Sequence, residues 1–501
     1  MRRRAPFTCF AFIVAVAMMR SLFGQAHLEW VKTYSLDQSR TNRPSSILLS
    51  PDASIFVSGS SANASGNLDY AAIKYASNGD LLWVRRFDDA GADDQLRRAV
   101  TDLAGNIYLT GTTKTISYDP IGNLRWIQPY AGRDLTTDSN YVYITGFSDT
   151  DCATAKLRGV NGTNIWSVTA NGFANTNEIS QALALDKEGN LFVAGSETWY
   201  CDRSGCYQQA TVSIYDPAGV LLRKHYTSAN NMARDQKYSI RGLLLDSNGS
   251  TSMVCDELYH DVHFWTIKYT PDLAEQWYWF LDKDDVVKYG GAVNDAIIDG
   301  GDNIYMAGRR NYVTDGIIEI IKLVPDGHKA WRREIAASFP GVRDAVAVRL
   351  DSLNFAYVAI TLPSERGDTD IGLVKYDNDG NQIWMKLFDS VNHANDLAAS
   401  LVLDKAGNIY VTGYSETAAG GTEFVTLKYS EFPKIAKKTN GTMNIQFMTN
   451  PNSAYTLQAT TNFFDWKNLL TNNADATGFV QFDDTEAPTV PFRLYRGKSA
   501  P

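Results

Sequence analysis

The sequence predicts an all-β fold in which an eight-bladed β-propeller, closed by the N-terminal strand, precedes a small β-sandwich. The first observation is a unit such as residues 401–413, where an alternating apolar strand ends at Asp, turns through a Gly and continues as a β-branched and aromatic strand. The second is that this unit recurs along the chain, and the third is a Trp-bearing strand that follows it. Four strands repeating at about 50 residues are typical of propeller blades.

The Asp that ends the first strand of each repeat marks eight copies. It occurs at Asp52, Asp102, Asp138, Asp186, Asp246, Asp299, Asp351 and Asp404. The second strand then ends at Gly59, Gly111, Gly146, Gly195, Cys255, Gly308, Ile360 and Gly413. Because such an Asp accepts hydrogen bonds from the backbone two residues on, we interpret the eight carboxylates as turn residues rather than as a ring of metal ligands. The spacing is shortest between Gly111 and Gly146, which predicts that the third blade is the smallest.

A third strand follows in each copy, and a fourth strand carries Trp in most copies. These tryptophans are Trp83, Trp126, Trp166, Trp277, Trp331 and Trp384. A large aromatic at a fixed place in each sheet suits face-to-face packing of neighbouring sheets, since each ring buries roughly 150–250 Å². We therefore assign these residues to the core. The strand period of two excludes a helical solenoid.

The strand count predicts how the propeller closes. The first three strands of each blade recur as far as Tyr429, but the last blade has no Trp-type fourth strand after them. A strand that would fit this place is His27–Tyr34, which carries Trp30 and has no blade before it. We expect this strand to pair with the outer side of the last blade, because the pairing leaves no sheet edge at the join.

After Tyr429 the repeat stops. The propeller is therefore expected to span residues 27–430, and residues 434–501 contain short strand candidates separated by Asn, Gly and Pro turns. The candidates include Met443–Met448, Tyr455–Thr460, Phe479–Phe482 and Phe492–Arg496. This pattern predicts a small antiparallel β-sandwich.

Residues 1–26 have the pattern of a secretory signal peptide. Three arginines at 2–4 precede an apolar run from Phe7 to Met19, and small residues lead to a cleavage position near Ala26. An uncleaved N-terminal anchor is the alternative. No later segment approaches 18 apolar residues, so we expect no transmembrane segment in the mature chain and a secreted, cell-surface or periplasmic location. The net charge of −9 gives no electrostatic footprint for nucleic acid.

Four cysteines remain after the predicted cleavage. Cys201 and Cys206 lie close together in an exported and hence oxidising setting, which favours a local disulfide between them. A pair of free thiols is the alternative. The states of Cys152 and Cys255 stay open.

Acidic residues near the start of the first strands form a candidate ligand site. They are Asp94, Asp134, Glu178, Asp235, Asp295, Asp344 and Asp396. Loops that enter the innermost strand surround one mouth of a propeller channel, and we expect long loops at 196–209, 227–238 and 281–292 on the same face. The hypothesis is an acidic mouth that attracts a cation or a basic ligand. The alternative is solvated loop charge, because the spacing between these acids and the following turn Asp varies.

The turn-and-strand unit in residues 404–413, Asp-Lys-Ala-Gly-Asn-Ile-Tyr-Val-Thr-Gly, resembles the bacterial SBBP-type β-propeller repeat of exported proteins. The segment Tyr376–Trp384 also resembles the tryptophan-docking motif of eight-bladed quinoprotein-like propellers, which include quinone-dependent dehydrogenases and non-catalytic assembly factors. The tail from Tyr455 onward looks like a short C-terminal module common on secreted bacterial proteins. These resemblances imply an exported propeller and leave its ligand open.

Motifs for common chemistries are absent from the sequence. There is no adjacent Cys pair of the kind expected near a quinone, no His-Glu-x-x-His, no Gly-x-Ser-x-Gly and no phosphate-binding Gly-rich loop with Lys, so we predict no cofactor and no metal centre. We expect a non-catalytic exported propeller that binds an extracellular or cell-surface protein or glycan through its loop-rich face. The alternative is a secreted polysaccharide hydrolase or lyase that uses carboxylates from neighbouring blades.

Overall fold

The computed structural model describes most of the chain from Gln25 to Ser499. The residues outside this description are 1–24, 139, 149–150, 171–177, 203–204, 228–237, 258–263, 281–290, 311–315, 337–338, 340, 342, 433, 439–440, 449–453, 463, 475–478, 491–492 and 500–501. The apolar run of the predicted signal peptide therefore lies outside it. The chain divides into two compact units, one spanning Trp30–Lys428 and the other including Tyr429–Pro501. Within the described residues no helix is long and apolar enough to cross a membrane.

The described strands of the larger unit form eight four-stranded sheets, which we number in chain order. The strands of the first four sheets are β2 (Asn42–Leu49), β3 (Ile55–Ala62), β4 (Leu68–Tyr75) and β5 (Leu81–Phe87); β6 (Leu96–Thr101), β7 (Ile107–Gly111), β8 (Thr115–Tyr118) and β9 (Leu124–Gln128); β10 (Asp134–Thr137), β11 (Tyr141–Ser148), β12 (Asp151–Arg158) and β13 (Asn164–Ala170); and β14 (Ile179–Leu185), β15 (Leu191–Asp202), β16 (Gly205–Tyr215) and β17 (Leu221–Tyr226). Those of the last four are β18 (Tyr238–Leu245), β19 (Thr251–Glu257), β20 (Phe264–Tyr269) and β21 (Glu275–Phe280); β22 (Gly291–Ile298), β23 (Ile304–Arg310), β24 (Ile317–Leu323) and β25 (Lys329–Ile335); β26 (Asp344–Leu350), β27 (Ala356–Pro363), β28 (Thr369–Tyr376) and β29 (Gln382–Phe388); and β30 (Asp396–Leu403), β31 (Asn408–Glu416), β32 (Thr422–Phe432) and β1 (Gln25–Tyr34).

The first strands connect the sheets to one another. Each first strand contacts the first strand of the next sheet along the chain, from β2 to β6 and onward to β30. In addition, β30 contacts β2. In the eighth sheet the strand order is β30, β31, β32 and then β1, so the N-terminal strand occupies the fourth position.

The eight turn aspartates behave as predicted. A carboxylate oxygen accepts the backbone N–H two residues further on in Asp52, Asp102, Asp138, Asp246, Asp299, Asp351 and Asp404. Asp186 instead accepts from the N–H of Asn190 at 2.7 Å. These hydrogen bonds confirm that the carboxylates fix the turn between the first and second strands.

The glycine in the second strand lies opposite a bulge in the first strand. In the eighth sheet the register shifts after Ala398, which pairs with Gly413. A Cβ at Gly413 would lie 2.1 Å from the carbonyl oxygen of Leu397, and one at Gly59 would lie 2.2 Å from that of Arg43. At these two positions the backbones approach so closely that only Gly fits without a shift, whereas Cys255 and Ile360 lie opposite the corresponding bulges of the fifth and seventh sheets.

Six fourth-strand tryptophans dock on the next sheet. The indole N–H donates to a carbonyl in the turn between the third and fourth strands of that sheet, pairing Trp30 with Ser77 (3.4 Å), Trp83 with Pro120 (3.1 Å), Trp126 with Gly159 (2.9 Å), Trp166 with Pro217 (3.1 Å), Trp277 with Pro325 (3.0 Å) and Trp331 with Asn378 (3.0 Å). A lysine of the third strand often donates to the same oxygen, pairing Lys428 with Ser77, Lys74 with Pro120, Lys156 with Pro217, Lys268 with Pro325 and Lys322 with Asn378. Tryptophan and lysine therefore bind one acceptor together.

The smaller unit contains two three-stranded sheets, β33-β34-β37 and β36-β35-β38. The strands are β33 (Lys434–Lys437), β34 (Met443–Met448), β35 (Ala454–Thr460), β36 (Lys467–Asn473), β37 (Phe479–Asp484) and β38 (Leu494–Ser499), with a short 3-10 helix at Ala487–Thr489. Residues of both sheets, including Phe447 and Leu457, belong to one hydrophobic cluster. The β-sandwich arrangement stays a prediction.

Two expectations about the larger unit are wrong. No strand of the second sheet exceeds six residues, whereas β11 and β12 of the third sheet have eight each, so the third sheet is not the smallest. The short spacing arises because the three strands between these glycines are short, with four residues in β8, five in β9 and four in β10. Residues 196–209 are not a loop, because β15 and β16 continue through them as a hairpin. Most of the expected loops at 227–238 and 281–292 lie outside the described residues.

Gly380 and Gly407 provide a test of the docking. Both have a φ of +77°, but a Cβ at Gly380 would lie 2.7 Å from the Trp331 ring, whereas a Cβ at Gly407 would meet nothing within 4 Å. We expect Gly407→Ala to cost about 1–2 kcal/mol of unfolding free energy through backbone strain. Gly380→Ala should cost about 1–3 kcal/mol more because of the clash. Urea unfolding measures both, and equal losses would contradict the docking.

Candidate functional site

One end of the sheets collects the connections that carry the predicted site. Because successive strands run antiparallel, the link from a fourth strand to the next first strand and the hairpin between second and third strands lie at the same end. In the seventh sheet these are residues 389–395 and 364–368. We call this side of the larger unit the entry end.

Asp94 and Asp396 occupy equivalent places at the entry end and are fully buried. Asp94 Oδ2 accepts the N–H of Asp89 at 2.7 Å, and Asp396 Oδ2 accepts the N–H of Ser390 at 2.6 Å. Each carboxylate thereby holds the link that enters the next sheet. Burial raises the pKa of Asp396. Glu178, directly before β14, is also buried.

Asp134 and Asp295 have a different role, because each reaches the first strand of the next sheet. Asp134 Oδ2 accepts the N–H of Leu183 at 3.0 Å, and Asp295 Oδ2 accepts the N–H of Val348 at 2.9 Å. Asp295 also contacts the Arg349 guanidinium at 2.5 Å. These carboxylates join neighbouring sheets, so their charge is used within the fold.

Asp344 also faces a neighbouring sheet. Its carboxylate accepts a hydrogen bond from the Asn294 amide and lies 3.7 Å from Arg309 Nη1. Burial raises the pKa of Asp344 to about 6, although the charge of Arg309 opposes the shift. Asp235 lies outside the described residues. A ligand-binding role for the seven acids stays a prediction.

The fold also brings together carboxylates that the repeat pattern did not single out. One carboxylate oxygen of each of Asp368, Asp370 and Asp389 lies within 4.8 Å of the others. Asp370 is the second residue of β28 and is 7% exposed, and Asp389 directly follows β29. We call these three residues and the nearby Asp396 the seventh-sheet cluster. Burial raises the pKa of Asp370 to about 6, and the charges of Asp389, Asp368 and Asp396 add to the shift.

The first sheet has a related group. Oxygens of Asp69, Asp88 and Asp94 also lie within 4.8 Å of one another, and we call them the first-sheet cluster. The two carboxylate oxygens of Asp69 accept hydrogen bonds at 2.8 Å, one from Asn63 and one from Arg86. The carboxylate of Asp69 is thus neutralised inside the fold.

The two clusters differ at one position in the fourth strand of their sheets. By strand register, Arg86 in β5 and Leu387 in β29 occupy equivalent places. Arg86 donates to Asp69, whereas Leu387 offers no donor. In the seventh sheet Asp370 Oδ1 is buried without a hydrogen-bond partner. An unpaired buried carboxylate oxygen is costly and calls for an explanation.

A pocket of about 500 Å³ opens between the second and third sheets at the entry end. It is lined by Tyr130, by hydroxyl-bearing residues that include Thr112, Thr154 and Ser167, and by apolar residues such as Ile144. Its volume falls within the range of small-ligand sites, roughly 300–1,000 Å³. Among the described residues, no carboxylate lines this pocket.

Comparison of repeats position by position would have revealed the clusters. In the first and seventh repeats an Asp lies six residues before the Tyr that ends the third strand, at Asp69 and Asp370. In the same repeats Phe-Asp follows the fourth strand, at 87–88 and 388–389. Of the acids in the two clusters, only Asp94 and Asp396 lie at the start of a first strand, the position on which the sequence prediction was based.

The predicted disulfide is compatible with the backbone. The register of β15 and β16 pairs Cys201 with Cys206. Paired residues of antiparallel strands have Cα atoms about 4.5–5.5 Å apart, which a disulfide spans. Their side chains lie outside the described residues, so the bond stays a prediction.

No protein-family model and no curated protein sequence matches the chain. Solved structures do resemble it. The Dos1 propeller has a TM-score of 0.52 at 8% identity, covering 80% of this chain and 95% of that one. The WD40 domain of SCAP from fission yeast has a TM-score of 0.43 at 8% identity, covering 81% and 98%. The polysaccharide lyase Uly1 has a TM-score of 0.41 at 10% identity, covering 81% and 99%.

The Dos1 likeness shows the fold alone. Together with the four-stranded antiparallel sheets, it establishes that the chain is an all-β protein with a propeller fold.

The raised pKa of Asp344 gives a pH test. The pKa of Asp344 in the folded protein is about 6, above its ordinary value of 3.8. Protonated Asp344 therefore stabilises the folded state fully below pH 3.8, and this stabilisation is lost as the pH rises through 6. Asp344→Asn should therefore stabilise the protein at pH 7.5, by on the order of 1–3 kcal/mol. Thermal melts should show this gain disappearing near pH 4. Asp379→Asn, at an exposed turn residue, is the control and should give no pH-dependent gain.

Proposed function

We propose that this protein is an exported, non-catalytic, eight-bladed β-propeller that binds an extracellular glycan or protein through its entry end. The observation that carries the binding function is the uncharged pocket between the second and third sheets. An aromatic ring beside several hydroxyls suits a sugar, because the ring packs against its apolar face while the hydroxyls exchange hydrogen bonds. A glycan is therefore the favoured ligand.

Three observations support the eight-bladed closed arrangement. The described strands form eight four-stranded sheets, and contacts between first strands return from β30 to β2. The N-terminal strand completes the eighth sheet. Trp30 and Lys428 from that sheet donate to the carbonyl of Ser77 in the first sheet, as their counterparts do between other sheets. Closure in this way protects the sheet edges.

Export rests on the signal pattern of residues 1–26, and the repeat is that of SBBP-type propellers. The C-terminal unit is the small module predicted from the strands after Tyr429. We propose that it attaches the propeller to a surface or assists export.

The alternative function is hydrolysis or elimination on a polysaccharide. The observation in its favour is Asp370, whose pKa of about 6 suits a general acid, beside other carboxylates. The carboxylate oxygens of Asp368, Asp370 and Asp389 lie within 4.8 Å of one another, closer than the roughly 6.5–9.5 Å of inverting glycosidases and near the roughly 5–5.5 Å of retaining ones, so only a retaining mechanism would suit this spacing. Product release from a polysaccharide panel that disappears in Asp370→Asn would establish the enzyme.

The glycan function is tested by filling the pocket. Ser167 is an exposed pocket residue on β13, so Ser167→Trp should obstruct the pocket without disturbing the core. We expect the parent to bind specific glycans on an array and the variant to lose at least tenfold in affinity, as calorimetry would measure. Ile165→Trp, exposed on the same strand but outside the pocket, is the matched control and should bind like the parent.

If the array shows no binding, a pull-down from cell-surface extracts tests the protein ligand. Capture of a specific protein that Ser167→Trp abolishes would move the function from glycan to protein. No ligand in either assay would contradict the proposed function.

Closure is tested by deleting residues 27–36. The deletion removes Trp30 from its contacts with Tyr75 and Tyr410 and exposes the edge of β32. Loss of the aromatic side chain alone should cost about 3–5 kcal/mol, and the exposed edge should promote aggregation. Calorimetry and light scattering should show a larger effect than truncation after Phe432. A deletion variant that melts like the parent and stays monomeric would contradict closure.

A further inference from the structure

The seventh-sheet cluster presents oxygen atoms that the described part of the fold leaves without hydrogen bonds. Asp368 Oδ2, Asp370 Oδ1 and Asp389 Oδ1 are buried, and no donor among the described residues hydrogen-bonds to them. Asp370 is 7% exposed and Asp396 is fully buried. Buried carboxylate oxygens are normally hydrogen-bonded, paired with a cation or bound to a metal. Three such atoms in one cluster point to a missing cation.

Protein cations only partly neutralise the cluster. The Arg366 guanidinium contacts Asp389 Oδ2 and lies 3.6 Å from Asp368 Oδ2. Its side chain is 52% exposed, so solvent weakens these contacts. His393 also reaches Asp389 Oδ2, at 2.8 Å, but is exposed. The four carboxylates therefore retain an excess of negative charge.

The first-sheet cluster shows how the same fold satisfies equivalent acids without a metal. There the Arg86 guanidinium, whose side chain is 20% exposed, pairs with Asp69. The corresponding Leu387 leaves the equivalent Asp370 unpaired. The unpaired oxygens are therefore a property of the seventh sheet and not of propeller sheets in general.

We propose that Asp368, Asp370 and Asp389 bind a calcium ion at the entry end, with Asp396 behind them. The donors are all carboxylate oxygens, which hard divalent cations prefer. Their separation of up to 4.8 Å matches two ligands on opposite sides of a calcium ion at about 2.4 Å each. Magnesium demands ligands at about 2.0–2.1 Å in a stricter octahedron and fits less well. Water completes the coordination.

Calcium would join three chain segments at the entry end. Asp368 ends the hairpin before β28, Asp370 begins that strand, and Asp389 starts the link to the eighth sheet. The ion thus ties this link to the third strand of the seventh sheet. This inference does not depend on which ligand the pocket binds.

The test is calcium titration of the chain without its predicted signal peptide, in metal-free buffer. Calorimetry should show one calcium ion per chain, with a Kd at or below about 10⁻³ M, the range of extracellular sites, and weaker magnesium binding. Asp370→Asn and Asp389→Asn should each weaken calcium binding at least tenfold. The control Asp88→Asn, at the position equivalent to Asp389 in the first sheet, should bind calcium like the parent.

Thermal melts separate loss of the site from loss of the fold. Calcium should raise the melting temperature of the parent and of Asp88→Asn, but not that of Asp370→Asn. In chelator, Asp370→Asn should melt at or above the parent, because it removes a repelled charge. No calcium binding by the parent, or unchanged binding in both cluster variants, would overturn the site. Ligand capture that persists in chelator would leave the proposed function intact.

Discussion

At six junctions between neighbouring sheets, a single backbone carbonyl in the turn between third and fourth strands holds the two sheets together. It accepts an indole N–H and often a lysine ammonium from the preceding sheet, so both lone pairs of one oxygen are used. The turn needs a glycine with positive φ, because a Cβ there would enter the tryptophan ring. A sheet is therefore complete only against its neighbour. The same contact links the last sheet to the first, because Trp30 of the eighth sheet donates its indole N–H to the carbonyl of Ser77 in the first.

The fold was predictable because the same residue types recur at the same spacing, so each copy strengthens the assignment of the others. The turn aspartates and docking tryptophans were identified in this way. The hairpin of β15 and β16 was not, since Tyr200–Tyr207 is polar and lacks the alternation that reveals a strand. The third sheet is larger than the spacing predicts, because two of the three short strands between Gly111 and Gly146, β8 and β9, belong to the second sheet. Sequence periodicity predicts structure least well where one copy differs from the repeat.

The candidate site was predicted less well. The sequence predicted these acids as a group from their positions before first strands. Their hydrogen bonds show that they have different roles. Asp134 and Asp295 join sheets, whereas Asp94 and Asp396 hold the links between them. The clusters combine residues from separate segments, and Asp370 and Asp389 become neighbours only through the hairpin of β28 and β29. Sequence order does not reveal this proximity unless the repeats are aligned.

Carboxylates in this propeller usually have assigned partners within the fold. The turn aspartates accept backbone N–H groups, and Asp69 pairs with Arg86. The seventh repeat differs, because it keeps the acids but has Leu387 in place of the arginine. Leaving buried oxygens unpaired lowers stability, and such local conflicts are expected at functional sites rather than in structural repeats. The change to Leu387 in the seventh repeat therefore marks the part of the entry end that we expect to have more than a structural role.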